Sequence, residues 1–435
     1  MIAKAGGAGV VADVERLRKA TIGLRESRGP EAAAQLARVV GLVERFGLGQ
    51  AESVARAFTV YFQLVNLAEE RHRVRILRQR SHSRAPVAES LAATIAELRG
   101  RLGEAEVGRL LAGLEIRPVL TAHPTEARRR AVVDALRRIY QVMDQLDDPR
   151  QSAAEVAGAE RQLREEIAIL WRTAQLRRRR PTPLDEVRSV MSVFDNSLFT
   201  LVPVVYRELE RALAVNPQGD LEERVRIRPF LRWGSWVGGD RDGNPGVTHS
   251  VTEAALGIQA GHILLGLEAA TRRIGRTLTL SEESTPPSRE LVQLLESADA
   301  PGTPPERSGE PHREALLRAA ERLRATRLEL AGAYGSPAGF LADLTTVQDS
   351  LRAAGAGGVG GGQLQHLIWQ AETFGFHLAS LEVRQHSSVH RAVITELLAG
   401  AEDDAQALDS LAAGAGLRSW RRGRIWPARC SPPCR

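Results

Sequence analysis

Three polar clusters in this sequence carry residue types suited to binding an anion and moving a proton. The first is LTAHPTEARRR at residues 120–130, which contains His123. The second is GSWVGGDRDGNPGVT at residues 234–248, and the third is FHLASLEVRQHSSVH at residues 376–390. Histidine exchanges protons near neutral pH, and arginine offers a planar set of donors to phosphate or carboxylate. The clusters therefore predict acid–base chemistry on an anionic substrate.

His123 lies where a short apolar run ends and a helix is predicted to begin. Pro124 suits the first helical position, and Thr125 is an alternative N-cap. The free N–H groups of a helix N-terminus favour an anion, and the cations at Arg128, Arg129 and Arg130 favour a neutral imidazole that accepts a proton. The alternative is a histidine that caps a helix with a solvated basic face.

The second cluster is rich in glycine and alternates in charge. Gly238 and Gly239 permit close backbone approach, and Asp240, Arg241 and Asp242 follow them directly. One alternative is a turn whose charges pair with one another. A calcium loop fails, because proline and valine stand where that motif requires glycine and glutamate.

Tryptophans flank this cluster, and a strand-like alternation leads into the third. Trp233 and Trp236 predict either a lined pocket or a packed wall. In the third cluster, alternating apolar residues bring Arg384 and His386 to a predicted strand end, where an arginine is suited to hold phosphate or carboxylate. The alternative for Arg384 is a structural salt bridge.

The elements that must position these clusters are mostly helices. Apolar residues recur at three- and four-residue spacing along most of the chain, and short strands are predicted only before each cluster. The fold class predicted is predominantly α with a few short parallel strands, as in the opening part of a helix-rich barrel. An all-α bundle is the alternative. GAGGVGGG at residues 355–362 is predicted to be a flexible link, and its G-x-G-x-x-G spacing follows a helix, which argues against a dinucleotide site.

Composition places the chain among soluble globular proteins, with 43% hydrophobic and 26% charged residues. The sequence has no run of about 18 apolar residues, so no membrane span is predicted. A cytoplasmic location is expected. Six of the 59 cationic residues lie in the last 18, and the rest equal the 53 acidic residues in number. The net charge therefore gives no support for a nucleic-acid partner. Cys430 and Cys434 lack further zinc ligands, and RRRR at 177–180 predicts a solvated helix end.

The motifs LTAHPTE and GSWVGGDRDGNP resemble the two best-marked N-terminal motifs of phosphoenolpyruvate carboxylase. FHLASLEVRQHS is similar to the next motif of that family, where an aspartate commonly stands in place of Glu382. Weaker similarity at VNLAEERHRVR, LREEIAILWRT, RPTPLDEVR and VPVVYREL extends the resemblance over about residues 10–400.

The resemblance implies part of a helix-rich TIM barrel and the carboxylation of phosphoenolpyruvate by bicarbonate to oxaloacetate and phosphate. It implies that His123 takes the proton of carboxyphosphate and that Arg384 grips a phosphate or carboxylate. Asp240, Arg241, Asp242 and Trp236 would support the site. The Mg²⁺ or Mn²⁺ that the family uses would be held by a later half, with no metal ligand in this chain, and the family assembles as a homotetramer.

Three regions are expected from the sequence: an N-terminal helical region at 1–115, an incomplete catalytic barrel region at 116–417 and an aberrant basic tail at 418–435. Family chains continue well beyond this length, so we interpret the tail as frameshifted read-through. The chain alone is expected to be inactive and poorly soluble. The alternatives are a non-catalytic fragment that pairs with a separately encoded second half, and a nucleic-acid binder that uses the tail.

Overall fold

The structure, a computed structural model, describes residues 2–81, 87–121, 129–175, 181–214, 227–242, 244–297 and 309–401. The basic tail and the predicted boundary at residue 417 lie outside the described residues, and so does RRRR at 177–180. Within them, helices dominate and three short parallel strands form one sheet, so the predicted fold class is confirmed.

In residues 2–81 and 87–118, five helices precede the first strand. Their bounds are α1 Ile2–Glu26, α2 Pro30–Glu44, α3 Leu48–Ser81, α4 Leu91–Leu102 and α5 Glu104–Ala112. Ser90 caps α4, because its hydroxyl accepts a hydrogen bond from the backbone N–H of Ala93 at 3.2 Å. Gly103 separates α4 from α5 with a φ of 77°, in the left-handed region that glycine adopts without strain.

The next unit joins the first strand to two helices and a small core. Its elements are β1 Val119–Leu120, α6 Arg130–Leu146 and α7 Ala153–Arg172. Ser152 and Glu155 form a reciprocal capping box at the start of α7. Apolar residues of α3, α6 and α7 share a core that includes Val60, Ile139 and Leu170. This core joins the N-terminal helices to the helices that follow β1.

A continuous helical stretch from Pro183 to Leu213 comprises α8 Pro183–Val193, a π-helical turn Phe194–Leu198 and α9 Phe199–Leu213. By length and composition alone it is apolar enough to cross a membrane. One face of it, which includes Tyr206 and Leu209, lies in the main core. A helix that buries one apolar face in this way is typical of the core of a helical domain.

The largest core is shared by the helices that follow the second strand and by α4, α5, α8 and α9 before it. The elements are β2 Gly234–Ser235, α10 His249–Thr277, α11 Arg289–Glu296, α12 Pro311–Leu328 and α13 Pro337–Ala353. Fully buried side chains of this core include Leu267, Leu316, Leu344 and Trp369. The same core reaches Leu378, just before the third strand, so it fixes the position of that strand.

The glycine-rich segment at 355–362 is not a flexible link, and that prediction is wrong. Residues Gly357–Val359 form a short helix, α14, a π-helical turn spans Gly360–Leu364, and α15 continues over Gln365–Phe374. The side chain of Gln348 donates to the carbonyl of Gly360 at 2.9 Å. A contact from a residue of α13 thus holds the start of this π-helical turn in place.

The sheet has the strand order β1-β2-β3, with β3 at Ser380–Leu381, and α16 follows at Ser387–Ala401. All pairings are parallel; Leu120 lies opposite Ser235, and Ser235 lies opposite Leu381. Each strand has only two residues, shorter than the sequence predicts. Helices connect each strand to the next, as in a barrel-type fold, and the all-α bundle is therefore excluded.

Candidate functional site

The carboxyl ends of the three strands lie side by side at one edge of the sheet. The backbone N–H of Trp236 donates to the carbonyl of Leu120 at 2.9 Å, and that of Glu382 donates to the carbonyl of Ser235 at 2.9 Å. Residues that follow parallel strands meet at the same edge. The described parts of the second and third clusters therefore lie together, next to the point where β1 ends.

His123 itself lies in residues 122–128, outside the described part of the chain, and its proposed role stays a prediction. Thr121, which directly follows β1, is the last described residue before it. On the far side, α6 begins at Arg130, and Arg130 lies 3.9 Å from Asp134 in an exposed ion pair.

The turn after β2 depends on its two glycines. Gly238 has a φ of 90°, and a Cβ there would lie 2.5 Å from Ala255 Cβ. A Cβ at Gly239 would lie 2.4 Å from the carbonyl oxygen of Glu382. Real Cβ atoms do not approach so closely, so both positions require glycine. The turn is thus pressed against α10 on one side and against the end of β3 on the other.

Two of the three charged residues of this turn, Asp240 and Arg241, have partners outside it. Asp240 Oδ2 lies 3.7 Å from Arg384 Nη1. Arg241 donates to the hydroxyl of Thr252 at 3.3 Å, and that hydroxyl donates to the carbonyl of Gly238 at 2.9 Å. Asp242 is exposed, and its backbone N–H donates to Asp240 Oδ1 at 3.2 Å. The side chain of Asp240 therefore lies against Arg384, beyond β3, and that of Arg241 lies against α10.

Arg384 stands at the edge with its backbone fixed and its side chain partly free. Its N–H donates to the carbonyl of Gly239 at 3.0 Å, and its carbonyl accepts from Arg241 at 2.9 Å. Its guanidinium carbon lies 4.0 Å from the centroid of the Trp236 ring, and its side chain is 42% exposed. A guanidinium held on one face and open on the other can bind phosphate or carboxylate with its donors.

His386 has a local role in the structure. It is exposed, its Nδ1 lies 2.7 Å from the hydroxyl of Ser388, and it accepts a hydrogen bond from the Ser388 backbone N–H at 3.3 Å. These contacts form the first turn of α16 next to the site.

The two tryptophans have different surroundings. Trp233 packs against the main core, with its ring centroid 5.9 Å from that of Phe194 in an edge-to-face contact. Trp236 stacks on Arg384, and its indole N–H donates to Glu382 Oε2 at 2.8 Å. Trp233 thus forms the packed wall that the sequence offered as one alternative, whereas Trp236 forms a stack with Arg384.

Glu382 and Thr252 are the side chains at this site that sequence reasoning did not assign a contact. The signal for Glu382 was its position two residues before Arg384, which in an extended chain puts both side chains on the same face. Thr252 gives no comparable signal, because it reaches the turn from the first helical turn of α10, 14 residues after Gly238 in the chain.

The residues that the structure describes do not fit a metal site. Among them, no group of three or more histidine, cysteine, aspartate or glutamate side chains is gathered where a metal ion could be held. At the sheet edge, the carboxylate of Asp240 is paired with Arg384 and that of Glu382 accepts from Trp236.

Comparisons with known proteins agree on one family. Residues 1–412 match the family model described as phosphoenolpyruvate carboxylase. A phosphoenolpyruvate carboxylase of Roseiflexus castenholzii is 38% identical over 411 residues, which cover 89% of this chain and 43% of the relative. One from Rhodopseudomonas palustris is 34% identical over 405 residues, covering 90% of this chain and 43% of that protein. The chain thus spans about two fifths of the length of these curated relatives.

Proposed function

Since this chain belongs to the phosphoenolpyruvate carboxylase family, we propose that it forms one wall of a site that converts phosphoenolpyruvate and bicarbonate to oxaloacetate and phosphate. The observation that supports this most directly is the position of Arg384. It lies at the shared carboxyl edge of three parallel strands, stacked on Trp236 and with 42% of its side chain exposed. An anionic substrate meets a free donor surface there.

Each part of this wall has a task in the proposed reaction. Arg384 binds a phosphate or carboxylate oxygen, and a charge-assisted bond of this kind is about twice as strong as a neutral one. The glycine turn holds Asp240 against Arg384. Bicarbonate would attack the phosphoryl group of phosphoenolpyruvate and break its bond to the enol oxygen, which gives carboxyphosphate and the enolate of pyruvate. His123, which follows β1 after two residues in the sequence, would then accept the proton of carboxyphosphate, whose carbon–oxygen bond to phosphate breaks to give CO₂ and phosphate. The CO₂ adds to the enolate of pyruvate to form oxaloacetate.

Members of this family are generally metal-dependent. We propose Mg²⁺ or Mn²⁺ for the complete enzyme, with ligands from outside the described residues, because the described ones gather no such set. We therefore expect the 435-residue chain alone to form no oxaloacetate, and a coupled assay of oxaloacetate formation would check this.

The test of the proposed wall is binding of phosphoenolpyruvate to the 435-residue chain, measured by calorimetry. Replacing Arg384 with methionine removes the charged donors and should weaken binding about 10- to 100-fold. Arg391→Met is the matched control, since Arg391 is exposed on α16 outside the site. Equal affinity of Arg384→Met and the wild-type chain would remove Arg384 from the proposed role.

The role of His123 and the oligomeric state must be tested in a catalytically active protein that contains this sequence. In such a protein, His123→Asn should abolish oxaloacetate formation while circular dichroism stays unchanged, because the asparagine cannot accept the proton. Unchanged turnover would exclude the role. The family-implied homotetramer would be checked by sedimentation of the same protein.

A further inference from the structure

The register of β2 and β3 puts Trp236 and Glu382 opposite each other, one residue beyond the sheet. Ser235 pairs with Leu381, and the chain directions are parallel, so the next residues of each strand are neighbours. Their side chains meet, with the indole N–H of Trp236 donating to Glu382 Oε2 at 2.8 Å. The carboxylate therefore fixes the rotation of the indole ring.

Arg384 uses that ring as its platform. It lies two positions after Glu382 in the sequence, and a further backbone bridge pairs it with Asp240 across the turn. Its guanidinium carbon lies 4.0 Å from the Trp236 ring centroid, whereas its ion-pair partner Asp240 lies 3.7 Å from Nη1, beyond hydrogen-bond length. The ring thus covers one face of the guanidinium and leaves the edge that carries its donors uncovered by that contact.

We propose that Glu382 and Trp236 are positioning residues that hold Arg384 ready to grip the anion. This inference rests on the proposed function. An arginine side chain has many rotamers, and ordering it on binding costs free energy. A stacked indole removes part of that cost in advance, and the carboxylate keeps the indole from turning. Glu382 does so through the indole N–H, so its negative charge does not occupy the donors of Arg384.

A conservative series at Glu382 separates positioning from simple loss of charge. Glutamine keeps an oxygen that accepts the indole N–H, whereas alanine keeps none. Glu382→Ala should weaken binding of phosphoenolpyruvate and of inorganic phosphate about two- to fivefold, the loss expected for an exposed cation–π contact. Glu382→Gln should restore most of it. Glu396→Ala is the matched control, because Glu396 is an exposed carboxylate on α16.

The closing experiment combines these titrations with ¹H–¹⁵N spectra of the indole N–H groups in the 435-residue chain. The Trp236 signal is assigned as the one missing in Trp236→Phe. Without ligand, it should shift in Glu382→Ala, shift less in Glu382→Gln and stay in place in Glu396→Ala. Thermal melting should be the same for all three, because Glu382 is exposed.

The outcomes separate this inference from the proposed function. Weaker anion binding in Glu382→Ala, rescued by Glu382→Gln, together with the shifted Trp236 signal, supports the positioning role. Wild-type affinity in Glu382→Ala, or an unshifted Trp236 signal, overturns it while leaving the proposed function standing. If the wild-type chain binds neither phosphoenolpyruvate nor phosphate, the proposed function fails, and the positioning role is overturned with it.

Discussion

Among the residues that the structure describes, two arginines lie over tryptophan rings, one in the core and one at the sheet edge. Arg207 lies 4.9 Å from the ring centroid of Trp369, which is fully buried, and only 11% of the arginine side chain is exposed. It donates to Glu210 at 2.7 Å and to the carbonyl of Gly361. The guanidinium in the core thus has protein acceptors on both of its terminal nitrogens.

Arg384 is stacked more closely, at 4.0 Å from the Trp236 ring, but it is 42% exposed. Its Asp240 contact is 3.7 Å long, and the guanidinium makes no hydrogen bond to any residue that the structure describes. The same pair of residue types therefore serves two purposes. At Arg207, protein acceptors bind the guanidinium N–H groups, and the stack holds two helices together. At Arg384, those N–H groups stay available, and the stack presents them to a ligand.

The largest effect that we expect in this comparison is the loss of stability when Arg207 is replaced. Arg207→Met should lower the free energy of unfolding by about 3 kcal/mol, because it removes the charged partner of the buried Glu210. Arg384→Met should change it by less than about 1 kcal/mol. Urea titrations of both variants check this. Similar losses in the two would break the distinction.

The next effect concerns the turn that holds the exposed stack. Gly239→Ala should cost about 1–3 kcal/mol of stability and weaken phosphoenolpyruvate binding, since the new Cβ would lie 2.4 Å from the carbonyl of Glu382 and push β2 from β3. Gly257→Ala is the control, because its Cβ would meet nothing within 4 Å. Wild-type stability and binding in Gly239→Ala would show that the close approach is not needed.

Acid should weaken the core rather than the exposed stack. Burial lowers the pKa of His312, and burial together with the nearby Arg207 charge lowers the pKa of His366. Folding therefore disfavours protonation of both imidazoles, so the unfolded chain takes up protons first. Stability should be full above the ordinary histidine pKa of about 6.5 and fall as pH drops below it. Urea midpoints at pH 7.5 and 5 check the direction.

His312→Asn tests the source of that pH dependence. The ring of His312 is wholly buried, with Nε2 2.9 Å from the Ser350 hydroxyl, so its replacement should lower stability at neutral pH and flatten the acid-side decline. A decline as steep as in the wild-type chain would assign it to other groups.

The smallest expected effect is at Asp240. Asp240→Asn should change stability by less than about 1 kcal/mol, since the ion pair with Arg384 is long and partly solvated. Asparagine also keeps the oxygen that accepts the Asp242 N–H. A loss as large as that of Arg207→Met would mean that the exposed stack is structural too.

The sequence predicted what depends on local pattern. Alternation placed Arg384 at a strand end, and the glycines before Asp240 predicted a close backbone approach; both predictions are confirmed. The prediction of a flexible link at 355–362 was wrong, because the contacts that hold this segment in its helical form come from residues elsewhere in the chain. Gln348 holds Gly360 and Arg207 holds Gly361, the latter from 154 positions away in the chain. Glycine content alone gives no sign of such partners.

The bond between Trp236 and Glu382 was missed for a related reason. It depends on the register of two strands of two residues each, and such short strands have too little apolar pattern to define a register. The main core, which includes Leu378 and Ala379 just before β3, holds that strand in place instead. The role that the resemblance implied for His123 remains a prediction, because residues 122–128 lie outside the described part of the chain.

The central claim is that the sheet edge binds the anionic substrate through the free side of Arg384. A crystal structure of this chain with phosphoenolpyruvate tests it most directly. We predict a phosphate or carboxylate oxygen within about 3 Å of the Arg384 guanidinium, with the indole of Trp236 still stacked against it. Phosphoenolpyruvate bound elsewhere, with Arg384 contacting only Asp240 and Trp236, would contradict the claim.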